Sequence, residues 1–201
     1  TPVGCEHWRR TLPELPTPDD PPRILVLGAT RAERRPLAIF RAFERVRERG
    51  IDARLVIAGR AGPIESTLGE AVRASAHGPF LERILDPCEA DLPALVARSS
   101  ALVHLDPSAG TPVTPLEALA SGVPVVLSRI PCFTEHLDGL AEFVDDAEAV
   151  REPVYLAAAV ERALTSRVDG LALAQRAARA REFTWARCAR STFAVWRTAS
   201  T

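Results

Sequence analysis

The chain contains no lysine, no methionine and no asparagine, and all 25 of its basic side chains other than histidine are arginine. The bias fits a coding genome rich in G and C, and it has a chemical consequence. Any side-chain cation that meets a phosphate here presents a planar guanidinium fork rather than an ammonium point charge. Long apolar runs are missing as well, and none approaches the ~20 residues that a membrane span needs. Residues 1–22 are polar and proline-rich, without the apolar stretch of a signal peptide, so the expected location is cytoplasmic. The four cysteines, Cys5, Cys88, Cys132 and Cys188, form no CxxC pair. That excludes the spacing of a zinc ribbon or a disulfide framework and predicts inert thiols in a reducing compartment. His7, His77 and His136 have no metal-ligand spacing, so no metal or cofactor is expected. A net charge of −1 gives no electrostatic argument for nucleic acid or an anionic membrane.

What is present is a chain of 201 residues, 47% hydrophobic and 25% charged, enough for one well-filled α/β domain. Six prolines keep residues 1–22 out of helical conformation, which predicts an arm or linker. Short continuous apolar runs then alternate with helical patterns. The runs at 23–28 and 53–59 suit strands buried on both faces, and 80–85, 101–105, 123–127 and 141–144 read as further strands. Between and after them, helical periodicity covers 36–50, 64–75, 91–99, 115–120, 154–164, 171–181 and 185–197. Trp185, Phe193 and Trp196 are expected to pack the last of these onto the core. The alternation predicts an α/β fold, a Rossmann-like open parallel sheet with helices on both faces.

Ligands of such sheets bind beyond the carboxyl ends of the strands. That places functional residues in the loops 28–35, 59–62, 86–89, 106–114 and 128–135. The first of these carries Arg31, Arg34 and Arg35 ahead of a helix N-terminus, where backbone N–H groups and the helix dipole favour an anion. It reads as a diphosphate site or as a solvated basic loop. His104, inside a strand, reads as a satisfied core residue, and Glu135 as a cap or brace for the next turn.

The stretch from Ser108 to Ser128 resembles the signature of family four of the retaining glycosyltransferases, Glu-Gly-Phe-Gly-Leu-Pro-x-Leu-Glu-Ala-Met-Ala-x-Gly-x-Pro-Val-Val. The matching residues are Gly110, Leu116-Glu117-Ala118-Leu119-Ala120, Gly122 and Pro124-Val125-Val126. Leu27-Gly28 with its arginine-rich loop, Leu55 to Gly59, Ile130 to Glu135, and Phe183-Thr-Trp185 resemble further family segments in order. Pro2-Val-Gly4 resembles the family's entry into this domain.

The resemblance implies the C-terminal, nucleotide-sugar-binding half of a two-domain GT-B fold. Residues 1–22 would be the interdomain linker, 23–165 the donor-binding domain, and 166–201 C-terminal helices packing on it. The implied partner is a UDP-, GDP- or related nucleotide sugar. An N-terminal acceptor-binding domain, missing from this chain, is the other implied partner and the expected route of any peripheral membrane association. The expected donor-binding residues are Arg31, Arg34, Gly110, Thr111 and Glu117. Arg31 and Arg34 come from the basic loop, and Gly110 and Thr111 lie where backbone N–H groups could meet the sugar or β-phosphate, although Thr111 and Pro112 replace the signature's Phe and Gly. The match gives Glu117 the ribose hydroxyls. A carboxylate suits a cis-diol, since it accepts from both hydroxyls. Thr114-Pro-Leu-Glu117 also reads as a capping box with proline at the first helical position, so both roles for Glu117 stand. Gly110 and Thr111 fit either backbone contacts to the sugar or β-phosphate, or a tight turn.

The first glutamate of the signature falls on Ala109, and the family's Arg-Lys phosphate pair falls on Glu33 and Arg34. Asp106 is the nearest substitute carboxylate. Catalytic residues are therefore left unassigned. The expected function is the donor half of a hexosyltransferase; the alternative is a non-catalytic GT-B-like binding or assembly module with a degenerate motif.

Overall fold

The computed structural model describes Gly4, Cys5, Trp8 and residues 20–199. Expectations for most of the proline-rich arm, for Pro2-Val3 and for His7 fall outside the described residues. Six strands form one sheet: β1 (Arg23–Leu27), β2 (Arg54–Gly59), β3 (Leu81–Leu85), β4 (Ala101–His104), β5 (Val125–Ser128) and β6 (Glu142–Val144). Their order is β3-β2-β1-β4-β5-β6, and every neighbouring pair is parallel. The chain winds outward from β1 through β2 to β3, then returns to β4 and winds the other way. The reversal between β1 and β4 opens a crevice at the carboxyl edge of the sheet.

Side chains alternate across the strands, as the period of two demands. Ile24, Val26, Leu55, Ile57, Ala101 and Val103 enter one core layer; Leu25, Leu27, Val56, Ala58, Leu102 and Leu127 enter the other. The first layer is covered by α1 (Pro36–Glu48), α2 (Glu65–Ala74), α6 (Asp146–Arg151) and α7 (Pro153–Ser166). The second is covered by α3 (Leu92–Ala97), α4 (Val113–Ala120), α5 (Pro131–Leu137) and α8 (Gly170–Ala180). In α1, Pro36 opens the helix, where its missing N–H removes no intrahelical bond. Ile39, Phe40, Phe43 and Val46 then share the buried face. The doubly covered parallel sheet is the expected fold.

Three local expectations are corrected. The loop expected at 128–135 holds the helix α5: Pro131 starts it, and Phe133 and Leu137, one turn apart, are both fully buried. No element was expected at 146–151, yet Asp145 caps α6 by accepting hydrogen bonds from the backbone N–H of Ala147 (2.9 Å) and Glu148 (3.1 Å). The last helix, α9 (Trp185–Ala199), has no buried residue. Trp185, Phe193 and Trp196 are exposed rather than packed on the core; their helical spacing defines an apolar face without saying what covers it. No helix among the described residues is long and apolar enough to cross a membrane.

Two segments bind the second layer from outside the sheet. Arg167 and Arg176 are buried, and both donate to the carbonyl oxygen of Gly122, at 3.1 and 3.2 Å. Near the N-terminus, the backbone N–H of Cys5 donates to the Phe183 carbonyl at 3.1 Å, and its thiol donates to the Ala180 carbonyl at 3.4 Å. This seats Trp8, 5% exposed, in the same apolar layer as Leu116, Leu119 and Phe183.

Candidate nucleotide-binding cleft

The carboxyl ends of β1, β2 and β3 meet in a cleft of about 770 Å³. Its floor is held by a close approach of two loops. Gly59 has φ +146°, and a Cβ there would lie 2.3 Å from the carbonyl oxygen of Gly28. Buried Thr30 ties the same loops together: its hydroxyl accepts from the backbone N–H of Gly62 at 2.7 Å and donates to Glu65. Glycine at position 59 follows from this crossing, since any side chain would meet backbone that cannot yield.

Arg31, Arg34 and Glu117, three of the five residues expected to bind donor, line this one cleft, with Thr114, Arg60, Asp86, Leu92 and Trp8. Arg34 lies across Gly28, donates to the Leu27 carbonyl at 2.8 Å and stands 3.7 Å from an Asp106 carboxylate oxygen. Arg31 is exposed at the rim. Arg35, the third arginine of the loop, turns away: it takes a left-handed backbone conformation (φ 51°) and pairs with Asp146 at 3.7 Å. Glu33 is exposed and does not line the cleft.

Gly110 and Thr111 are not brought to the cleft. Both are exposed on the loop between β4 and α4, and a Cβ on Gly110 would meet nothing within 4 Å. Ala109, where the signature has glutamate, packs partly buried against the second core layer. Asp106 accepts hydrogen bonds from the backbone and hydroxyl of Ser108 (3.1 and 2.8 Å) as well as facing Arg34. The loops 106–112 and 128–135 contribute instead to an adjoining depression of about 520 Å³, with Arg35, Pro107, Arg129 and Asp146 on its walls.

The capping box is not formed. Helix α4 begins at Val113, with Pro112 at the cap position and no side-chain cap bond. Thr114 is therefore already inside the first turn, and Pro115 shares that turn, where its missing N–H has no intrahelical acceptor. The Glu117 carboxyl is instead half-buried in the cleft. Burial pushes its pKa up to about 7, against the lowering effect of a hydrogen bond with the Trp8 side chain, whose only donor is the indole N–H.

Beneath the loops, His104 is buried edge-on against Phe133, with ring centroids 5.8 Å apart. Burial holds its pKa down to about 4, Arg34 reinforcing this and Asp106 opposing it. The ring is thus a neutral part of the core at ordinary pH. The Glu135 side chain is exposed on α5 and makes no hydrogen bond or ion pair among the described residues, so it does not act as the expected cap or brace. Trp8 is the residue that sequence reasoning missed. Its signal was a lone tryptophan within an otherwise polar, proline-rich arm.

The family described as Glycosyl transferases group 1 matches residues 21–166. Among solved structures, the chain is similar to the C-terminal domain of a glycosyl transferase group 1 family protein (LpcC) from Francisella tularensis. The TM-score is 0.65 at 15% identity, over 81% of this chain and 83% of that one. It is also similar to α,α-trehalose 6-phosphate synthase from Burkholderia multivorans, with TM-score 0.72 and 17% identity over 89% of this chain and 42% of that one. A third is the UDP-forming α,α-trehalose-phosphate synthase from Burkholderia xenovorans, in complex with glucose-6-phosphate. There the TM-score is 0.62 at 19% identity, over 81% and 38% of the two chains. The chain thus spans less than half the length of these synthases and most of the isolated C-terminal domain. At these identities the likeness establishes the fold, the Rossmann-like C-terminal domain of GT-B proteins. No curated protein matches the chain.

Proposed function

Because the chain belongs to the glycosyl transferases group 1 family, we propose that its cleft binds a nucleoside-diphosphate sugar as donor for a retaining hexosyltransferase. The observation that carries this reading is the convergence of Arg31, Arg34 and Glu117, far apart in sequence, on one cleft beside the β1/β4 crevice. Arg34, with Arg31 at the rim, would neutralise the diphosphate as negative charge develops on the leaving group. This is electrostatic stabilisation rather than covalent chemistry. Glu117, when ionised, accepts hydrogen bonds from both ribose hydroxyls and so positions the nucleoside. The acceptor and the groups that activate it are assigned to a separate N-terminal domain, so the chain alone is expected to bind donor without transferring it. Calorimetric titration with UDP and with GDP tests the reading. Binding of at least one, lost on Arg34→Ala, supports it; a folded chain that binds neither would overturn it.

A second reading, a binding or assembly module without turnover, is favoured by one observation. Ala109 stands where the signature carries a glutamate, and Gly110 and Thr111 lie outside the cleft. A transferase assay with the acceptor half present separates the two. Turnover by the wild-type sequence retains the enzyme; nucleotide binding with turnover gained only on Ala109→Glu favours the module.

A further inference from the structure

Trp8 reaches the cleft from outside the sheet, and its contacts there are specific. The Cys5 backbone and thiol are bound to the Phe183 and Ala180 carbonyls, the backbone N–H of Trp8 donates to the Cys5 carbonyl at 3.1 Å, and the indole is buried. Cys5 is therefore anchored at the end of α8, and Trp8, hydrogen-bonded to it, brings one aromatic side chain to the wall that holds Glu117. A buried indole places its N–H on a partner, and here the partner is that carboxylate.

We propose that Trp8 is a positioning residue of the nucleotide site: its indole N–H occupies one acceptor position of the Glu117 carboxylate and fixes the side chain, leaving the other positions for the ribose diol. The proposal rests on the donor-site reading of the cleft. An ionised carboxylate offers about four lone-pair sites, so one bond from Trp8 leaves room for two from a cis-diol. The bond also works against desolvation. It favours the ionised form, which accepts from both hydroxyls, over the protonated form, which must give up one acceptor position to its own proton. Docking of the segment at Cys5 and Trp8 thereby sets how much of the site is competent near neutral pH.

The test is the pH profile of UDP and GDP affinity for the full chain, from pH 5.5 to 9, as wild type, Trp8→Phe, Glu117→Gln and the double variant. Phenylalanine keeps an aromatic ring and removes the N–H. For whichever nucleotide binds, wild-type affinity should decline as pH falls through about 7. Trp8→Phe should move that decline to higher pH, with about a fivefold loss at pH 7 that narrows at pH 9. On Glu117→Gln, which keeps only the pH dependence of the nucleotide's own terminal phosphate, Trp8→Phe should add no further pH dependence. A Trp8→Phe protein with the wild-type profile and an intact thermal transition overturns the proposal alone. Binding of neither nucleotide by the wild type overturns the donor reading and the proposal with it. An independent readout needs no substitution at Trp8. The indole ¹H–¹⁵N resonance should titrate with the Glu117 midpoint and lose that titration in Glu117→Gln; a resonance indifferent to both overturns the assignment.

Discussion

Replacing Glu117 by glutamine should move stability and ligand affinity in opposite directions. The carboxyl titrates near 4.5 when unfolded and about 7 in the fold, because burial disfavours its charge. An acid with a raised folded-state pKa binds more protons when native than when unfolded, so its ionisation destabilises the fold as pH rises. The penalty is absent below 4.5, grows between 4.5 and about 7, and is complete above that. At ~1.4 kcal/mol per unit the interval bounds it near ~3 kcal/mol. Contact with water through the open cleft reduces this to roughly 1–2 kcal/mol. Glutamine fills the same volume, keeps an oxygen for Trp8 and carries no charge. Thermal unfolding at pH 8 should therefore show Glu117→Gln melting about 3–6 °C above wild type, while at pH 4.5 the two should coincide. Nucleotide affinity at pH 8 should fall by about tenfold, through loss of a charged acceptor for the diol. A variant no more stable than wild type at pH 8, or equally stabilised at both pH values, refutes the reasoning, because neither follows from a buried charge.

Arg34→Ala should lower nucleoside diphosphate affinity at least ~10-fold and cost about 1 kcal/mol by unpairing the Leu27 carbonyl, both readable in one set of calorimetric and melting experiments. Arg31→Ala, at the exposed rim, should leave stability within ~0.5 kcal/mol of wild type while weakening binding in a salt-dependent way. Gly59→Ala should lower the urea midpoint by the equivalent of ~3 kcal/mol or more, since its Cβ would lie 2.3 Å from backbone at φ +146°. Asp145→Ala should cost about 1 kcal/mol through the lost cap of α6, without altering nucleotide affinity.

The sheet was legible because strands buried on both faces leave short, mostly apolar runs, and those at 23–28, 53–59 and 101–105 alternate with helical patterns as a parallel sheet requires. The helices that escaped notice are short. Pro131 and Asp145 look like turn residues in sequence, and only the burial of Phe133, Leu137 and Ala149 shows that they start helices. The terminal helix lies where it was expected, but its packing onto the core did not follow, since amphipathic spacing reports an apolar face whether or not anything lies on it. That Arg31, Arg34 and Glu117 line one cleft was readable from a motif and from the rule that loops at strand ends carry ligands. Gly110 and Thr111 were placed by their position in the motif alone, and they lie exposed ahead of Pro112, outside the cleft. Trp8 was legible only as a lone tryptophan in a polar, proline-rich arm. Its contact with Glu117 spans more than a hundred residues, which local sequence does not encode.

The most direct measurement is a structure of the chain with UDP or GDP bound. Both ribose hydroxyl oxygens should lie within ~2.6–3.2 Å of the Glu117 carboxylate, with the diphosphate against Arg34 and the Trp8 indole N–H still on Glu117. A nucleotide bound elsewhere, or one whose ribose lies away from Glu117 while Arg34 stays on Leu27 and Asp106, would contradict the donor reading.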